Sequence, residues 1–214
     1  NYIMNGAFHF KEETNENDYR SNLYQFVNAG YLNLNYKPND TWDILVGGRV
    51  ENNINITRYK EQGDSEFNNL NKNQYFILPS FSVKKSLNTK SNIRFAASKT
   101  ITRPILIEYM PITYINPDNE NIIGNKDLKN SENYNLDLKY EIFPTNKELL
   151  SVNLFAKKID NAIERGYTAS GNSNGVAITF FNAENAVLAG AEVEGIMNLS
   201  RISESLNKWS LGAN

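Results

Sequence analysis

The segment from 134 to 142 alternates without interruption between apolar or aromatic residues at even positions and polar residues at odd positions. A period of two is typical of a β-strand with one apolar and one polar face. At ~3.4 Å per residue such a run covers roughly 30 Å, and a tilt of about 40° leaves a rise of about 23 Å, close to the apolar band of an outer-membrane barrel. A half-solvated strand of a soluble antiparallel sheet gives the same alternation.

The same alternation recurs along the chain. It is present in the segments 31–36, 42–56, 150–157 and 191–199, and residues 2–10 and 209–214 have the character of further strands that are cut by the ends of the sequence. We therefore expect about nine strands. They should pair only in antiparallel fashion and in sequence order, with no helix longer than a turn or two outside the loops.

The connections between these strands alternate in length. Short turns rich in Pro, Asn and Asp lie at 37–40, 86–90 and 144–148, whereas long polar links run roughly over 11–22, 59–72, 102–130 and 160–175. A structureless link of ~29 residues is unusual in a compact soluble domain. Short turns at one rim and long loops at the other are typical of outer-membrane barrels, so this pattern favours an antiparallel transmembrane β-barrel over a soluble sheet.

Composition narrows the class further. The chain has 40% hydrophobic residues, a mean hydropathy of -0.53 and no apolar stretch of ~18 residues, which excludes a helical membrane protein but not a barrel. It contains no cysteine, which excludes disulfide, zinc-thiolate and cysteine-nucleophile chemistry. The net charge is -2 and Lys and Arg do not cluster, so we expect no nucleic-acid partner.

Catalytic motifs are missing from the sequence. It holds one histidine, His9, and neither a nucleophile elbow nor a phosphate-binding glycine loop. Asp118, Glu120 and Asp127 do not have the spacing of an EF-hand calcium loop. We therefore expect no enzymatic activity, no cofactor and no metal site.

Several short motifs follow one another in a particular order. Arg103-Pro104 ends a strand and the segment 124–129 (GNKDLK) lies in the next link. The segments 155–164 (FAKKIDNAIE), 182–186 (NAENA) and 190–194 (GAEVE) lie in later strands. From about residue 24 to 214 this order resembles the C-terminal part of the barrel of TonB-dependent outer-membrane receptors. Lys126, Ala156 and Ala162 depart from the usual family pattern.

The resemblance implies a fold and a function. It implies that residues 1–214 are a partial receptor barrel, about nine strands of a 22-stranded barrel in the Gram-negative outer membrane, without the plug domain and the terminal strands. The implied function is import of a scarce ligand, such as a siderophore, corrinoid, peptide or oligosaccharide. The implied partners are outer-membrane lipid, the protein's own plug domain, the TonB energy-transducing complex and a surface lipoprotein. A plugless outer-membrane channel or surface attachment barrel, and a soluble β-sandwich binding module, are the alternatives.

Alternation and resemblance together assign candidate residues to surfaces. The residues expected to contact lipid are Val46, Val50, Leu136, Leu138, Ile142, Val152 and Leu154. The residues expected to face the barrel lumen are Arg49, Glu51, Asp137, Lys139, Glu141, Glu192 and Glu194, where a Glu-x-Glu pair is better explained by solvation or by salt bridges to a plug than by cation binding. The candidate ligand-binding residues, in the long loops, are Arg103, Tyr109, Tyr114, Arg165 and Tyr167, because aromatic rings and guanidinium groups can stack on or hydrogen-bond a ligand.

Overall fold

The fold consists almost entirely of β-strands. The computed structural model describes residues 8–9, 20–60, 65–118, 120–169 and 175–214. The strands are β1 (Phe8–His9), β2 (Arg20–Tyr36), β3 (Trp42–Lys60), β4 (Asn68–Asn88), β5 (Ser91–Thr102), β6 (Thr113–Ile115), β7 (Asn121–Ile123), β8 (Ser131–Ile142), β9 (Leu149–Ala169), β10 (Val176–Asn198) and β11 (Ser210–Ala213). A single α-helical turn, α1 (Leu106–Tyr109), lies between β5 and β6, and two 3-10 turns (Leu199–Arg201 and Glu204–Leu206) lie between β10 and β11.

Nine of the strands form one continuous antiparallel wall. Its order is β1-β2-β3-β4-β5-β8-β9-β10, and β11 pairs with β10 at the end. This confirms the predicted antiparallel all-β fold and the strand count for the described residues. Within those residues, no helix has the length and apolarity needed to cross a membrane.

One pairing contradicts the expectation of purely antiparallel strands. The hairpin of β6 and β7 lies between β5 and β8 in sequence, and β7 pairs with β10 in parallel through Ile122 with Ile178 and Ile123 with Thr179. The physical reason is the packing of the link that carries β7. Tyr109, Met110 and Leu128 of this link share a buried cluster with Tyr59 of β3, and Phe180 of β10 packs against that cluster, so β7 lies beside β10 and its backbone groups find partners there.

The long strands also extend further than predicted. Strand β3 reaches Lys60 and β4 begins at Asn68, while β9 reaches Ala169 and β10 begins at Val176, so much of the predicted links 59–72 and 160–175 is strand. The alternation fades there because polar residues occupy both faces. The link 102–130 has the predicted boundaries but is not structureless, and most of the link 11–22 lies outside the described residues.

At the same height along the strands, the two faces of the wall carry side chains of different polarity. On one face, hydrogen-bonded strands align a row of apolar side chains directly beside one another: Ile44, Val83, Phe95, Leu138 and Leu154. On the other face, the neighbouring row is Asp43, Lys84, Arg94, Lys139 and Asn153. We call the first the outer face and the second the inner face.

The short-turn end of the wall is held by one buried carboxylate. Glu148, whose side chain is 4% exposed, precedes β9 and receives two hydrogen bonds from Arg201, at 2.6 and 2.9 Å. The Thr145 hydroxyl and the backbone N–H of Asn198 donate to it at 3.1 and 3.3 Å. The Arg201 guanidinium and these further donors lower the pKa of Glu148 to about 2. The turn before β9 is therefore fixed to the link after β10.

Candidate functional site

The segment from 103 to 130, here called the folded loop, fills a gap in the wall. Strands β5 and β8 have 12 residues each, whereas β3, β4, β9 and β10 have 19 to 23. The long-loop rim is therefore lower at β5 and β8 than at either side. The folded loop contains α1, β6 and β7 and lies between the two taller hairpins.

A small apolar core holds the folded loop against the inner face. Tyr109, Met110 and Leu128 from the loop are buried together with Tyr59 of β3. Further apolar side chains from both tall hairpins and from the loop pack around them: Leu70, Leu106, Ile112, Ile163 and Phe180. Burial raises the pKa of Tyr109 to about 12, which keeps its phenol neutral. The folded loop and the two tall hairpins thus share a small apolar core at the rim.

Asn182 of β10 holds the end of the folded loop. Its carboxamide oxygen accepts the backbone N–H of Lys129 at 2.8 Å, and its nitrogen donates to the Lys129 carbonyl at 3.1 Å and to the Asn161 carbonyl at 2.9 Å. Asn161 has a left-handed backbone with φ of 54°, a conformation that asparagine tolerates better than most residues. The same carbonyl of Asn161 also accepts the Ser131 hydroxyl at 2.9 Å. Three motif segments therefore meet at one amide.

Gly124 and Asn125 hold the middle of the folded loop. A Cβ at Gly124 would collide with the backbone of Met110 and would lie 2.8 Å from the carbonyl oxygen of Ile107, so only glycine fits against the end of α1. The side chain of Asn125 donates to the Phe180 carbonyl at 2.9 Å, and its backbone N–H donates to the Glu108 carbonyl at 2.7 Å. Gly124 therefore allows the chain to pack closely against the end of α1, and Asn125 connects α1 to β10 by hydrogen bonds.

The opposite side of the folded loop is attached to the hairpin of β3 and β4. The Lys72 ammonium donates to the Lys126 carbonyl at 2.9 Å and lies 4.8 Å from the centre of the Tyr109 ring. Asn130 donates to the Gln74 side chain at 3.1 Å. Arg103, at the start of the loop, forms an ion pair with the buried Glu51, which also accepts from Arg49 at 2.6 Å. The loop therefore links hairpins that lie on either side of the two short strands.

The five candidate ligand-binding residues lie in different surroundings. Arg103 is paired with Glu51 and Tyr109 is 6% exposed, so both are occupied by contacts within the protein. Arg165 is more accessible, although it pairs with Glu120 at 3.2 Å, and Tyr114 is partly buried near it. Tyr167 is 78% exposed. The structure therefore leaves Arg165 and Tyr167 as the accessible members of this set.

The structure places all seven residues of the predicted lumen set on the inner face, and the predicted lipid set on the outer face. Most of the outer set is well exposed, for example Val50 at 52% and Leu138 at 40%, whereas Glu51 is 6% exposed. In the described part of the chain, no group of three His, Asp or Glu side chains is arranged to hold a metal ion.

Comparison with known proteins agrees with an outer-membrane barrel fold. A model of the outer membrane protein beta-barrel family matches residues 2–212. Among solved structures, the siderophore receptor PirA from Pseudomonas aeruginosa aligns with a TM-score of 0.59 and 16% identity, over 85% of this chain and 41% of that one. The hemophore receptor HasR from Serratia marcescens aligns with a TM-score of 0.56 and 9% identity, over 84% and 40%. No curated protein matches the sequence.

These structures share the fold of the chain rather than its sequence. The ferric enterobactin receptor PfeA from Pseudomonas aeruginosa aligns with a TM-score of 0.50 and 14% identity, over 84% of this chain and 34% of that one. The chain thus spans less than half the length of each of these three receptors.

Proposed function

Because the chain belongs to the outer membrane protein beta-barrel family, and so lies in the Gram-negative outer membrane, we propose that it is part of a receptor that imports a scarce ligand with energy supplied through TonB. The observation that carries this proposal is the contrast between the two faces of the wall. Five consecutive strands present an apolar row outward and a charged or amide row inward at the same level. That arrangement suits lipid on one side and a polar lumen on the other.

The aromatic residues of β8 support the membrane-facing assignment. Tyr134 and Tyr140 lie on the outer face on either side of Leu136 and Leu138, all four being 38% to 48% exposed. Aromatic residues that flank an apolar band are typical of strands at the two membrane interfaces. Lys99 and Lys158 lie beside Tyr134 in register, at the end of the band nearer the folded loop. The apolar band therefore ends before the rim.

The neighbours guide the choice of ligand class. PirA and PfeA are receptors for siderophores and ferric enterobactin, and HasR binds a hemophore, so an iron-carrying compound is the first class to test. We propose that the accessible residues Arg165 and Tyr167 contact this ligand, while the folded loop fixes the rim that presents them. In this proposal residues 1–214 contribute part of the barrel, the plug domain and TonB are partners, and no catalysis takes place.

An uptake assay tests this proposal directly. The full-length protein is produced in cells that lack their own iron receptors, and uptake of a panel of ferric siderophores and haem is measured with and without functional TonB. We expect uptake of one of these compounds, dependent on TonB, and at least a several-fold loss in the double variant Arg165→Ala/Tyr167→Ala. Uptake that persists without TonB would instead support the plugless channel. Asn146→Ala, in the turn before β9, is the control at the opposite rim.

A further inference from the structure

Three polar residues of β3 lie on the inner face where the folded loop is attached. Asn53, Asn55 and Thr57, here called the polar column, continue the alternation of Glu51 along the same strand. The inner face of a barrel is polar and ordinarily meets water. Asn53 is nevertheless 1% exposed and Thr57 is 0% exposed, while Asn55 is partly buried. The burial of the polar column therefore requires a cover on the inner face.

The strand next to the polar column identifies this cover. Gln74, Lys72 and Leu70 of β4 lie beside the polar column in register. Gln74 accepts a hydrogen bond from Asn130 of the folded loop at 3.1 Å. Lys72 donates to the Lys126 carbonyl at 2.9 Å, and Leu70 packs against the apolar core that the loop shares with the tall hairpins. All three neighbours contact the folded loop, so the loop lies over the inner face at the height of the polar column.

The docked position of the folded loop leaves several polar atoms without partners. Among the described residues, the amide nitrogen and the amide oxygen of Asn53 have no hydrogen-bond partner, and neither do the amide oxygen of Asn55 and the hydroxyl of Thr57. The hydroxyl of Tyr109, on the loop itself, is also buried without a partner. A buried polar group that loses water without gaining a partner costs more free energy than an ordinary hydrogen bond returns. Docking therefore has an energetic cost on the side of β3.

The opposite side of the folded loop forms the hydrogen bonds that its polar groups require. Asn182 uses both its nitrogen and its oxygen in hydrogen bonds to backbone groups, three in all. Asn125 donates to the Phe180 carbonyl at 2.9 Å, and β7 pairs with β10 through the backbone. These two amides have the partners that the amide of Asn53 lacks. The folded loop is therefore bound more favourably to β10 than to β3.

We propose that the folded loop is a lid that opens on the side of β3 while it stays attached to β10. Opening returns water to the polar column and to Tyr109, and so removes the cost of burying polar groups without partners. The shared apolar core opposes opening and keeps the docked state populated. Arg165 and Tyr167 lie on β9, which pairs with β10, so they stay in place when the lid opens. The lid thereby controls access to the inner face of β3, whichever ligand is transported.

Thiol labelling of the full-length protein shows where the lid opens. The chain contains no cysteine, so Thr57→Cys and Ser131→Cys each place a single thiol in it, and cysteines elsewhere in the protein are replaced by serine. Ser131 is 3% exposed and lies on the other side of the lid, where its hydroxyl donates to the Asn161 carbonyl. Relative to the unfolded protein, a water-soluble maleimide should react at least tenfold faster at position 57 than at 131. Equal rates, or a faster reaction at 131, would overturn the proposal.

Substitution of Asn53 tests the cause of opening by its sign. In the Thr57→Cys protein, Asn53→Leu removes two unpartnered polar atoms at nearly constant volume, so labelling should slow about fivefold or more. Asn130→Leu is the matched control, because it removes an amide whose hydrogen bond to Gln74 is formed, and it should speed labelling about 2- to 10-fold. Unchanged or faster labelling in Asn53→Leu would mean that docking does not leave this amide unsatisfied, and the proposal would be wrong.

A second measurement applies if Asn53→Leu does not assemble, which heat-dependent migration in gels reports. Thr57→Val replaces the unpartnered hydroxyl by a methyl group of the same shape. Hydrogen–deuterium exchange of the backbone amides from 126 to 130 should then be about fivefold slower than in the wild type, because the docked state is stabilised. Equal or faster exchange in Thr57→Val would contradict the lid. Neither measurement depends on uptake, so the proposed transport function stands or fails separately.

Discussion

Asn182 offers a direct test of how the folded loop is held. Replacement by alanine removes three hydrogen bonds, two of them to the backbone of Lys129 and one to the carbonyl of Asn161. The two bonds to Lys129 are exposed and only the bond to Asn161 is partly buried, so water replaces part of what is lost. At a net value of about 0.5–1.5 kcal/mol for one hydrogen bond, the three bonds together should contribute about 1–3 kcal/mol. We expect the free energy needed to release the end of the loop to fall by about this amount. Since 1.4 kcal/mol corresponds to a factor of ten, the released population should rise about 5- to 140-fold.

Limited digestion with trypsin measures this population. Lys126 and Lys129 lie in the loop, and the peptide bonds after them should be cleaved only when the segment leaves the rim. When opening and closing are fast relative to cleavage, the cleavage rate follows the open population. The initial rate after Lys129, followed by mass spectrometry, should therefore rise 5- to 140-fold in Asn182→Ala. Heat-dependent migration in gels reports whether the barrel has assembled.

Two further variants make the result specific. Asn182→Asp keeps an acceptor for the Lys129 N–H but loses both donated hydrogen bonds and sets a negative charge against two carbonyl oxygens, so it should not restore resistance. Asn153→Ala removes an amide that makes no side-chain hydrogen bond to any described residue on the same face, and it should leave cleavage unchanged. Equal cleavage after Lys129 in the wild type and in Asn182→Ala would show that Asn182 does not hold the end of the folded loop.

Three other changes probe separate parts of the molecule. Gly124→Ala should loosen the folded loop by about 1–3 kcal/mol, because its Cβ collides with backbone, and trypsin sensitivity should rise in parallel. Leu138→Arg should destabilise the barrel by about 2–4 kcal/mol at mid-bilayer, whereas Lys139→Ala should be mild in urea unfolding from lipid vesicles. The pKa of Glu148 lies below its value in the unfolded chain, so its pairing with Arg201 stabilises the protein fully above about pH 4.5. This stabilisation is lost as the pH falls toward 2. The difference in free energy of unfolding between the wild type and Glu148→Gln should therefore shrink over that range.

The sequence alone predicts the strands of the wall, and which face each residue lies on, wherever a strand has one apolar face. Strand β8 shows this most clearly, since each of its residues from Tyr134 to Ile142 alternates and the structure retains that register. Beyond Glu51 the same reasoning fails in β3. Asn53 and Thr57 are polar but 1% and 0% exposed, on the same strand as Tyr59, which packs against Tyr109, Met110 and Leu128 of the folded loop. A pattern that compares neighbours in sequence carries no information about a cover that comes from another part of the chain.

The candidate site was only partly visible in the sequence for a similar reason. Gly124, Asn125 and Asn182 stand in recognisable motifs, but their partners are 53 to 55 residues apart in pairs such as Lys129 with Asn182 and Asn125 with Phe180. Lys72 has no motif at all, and its role depends on two backbone carbonyls that its ammonium reaches across the rim. Tyr109 is a natural ligand-binding residue by type, yet its burial follows from packing against Tyr59.

The parallel pairing of β7 with β10 sets the order in which the protein can fold. Ile122 needs a backbone partner at Ile178, so this contact closes only after β8, β9 and the first half of β10 have been laid down. Contacts between distant residues require loop-closure entropy to be overcome first, and they form slowly. The folded loop should therefore dock last. Until it does, the hairpin of β3 and β4 and the hairpin of β9 and β10 are joined only through two short strands, and the rim of the growing barrel should stay loose.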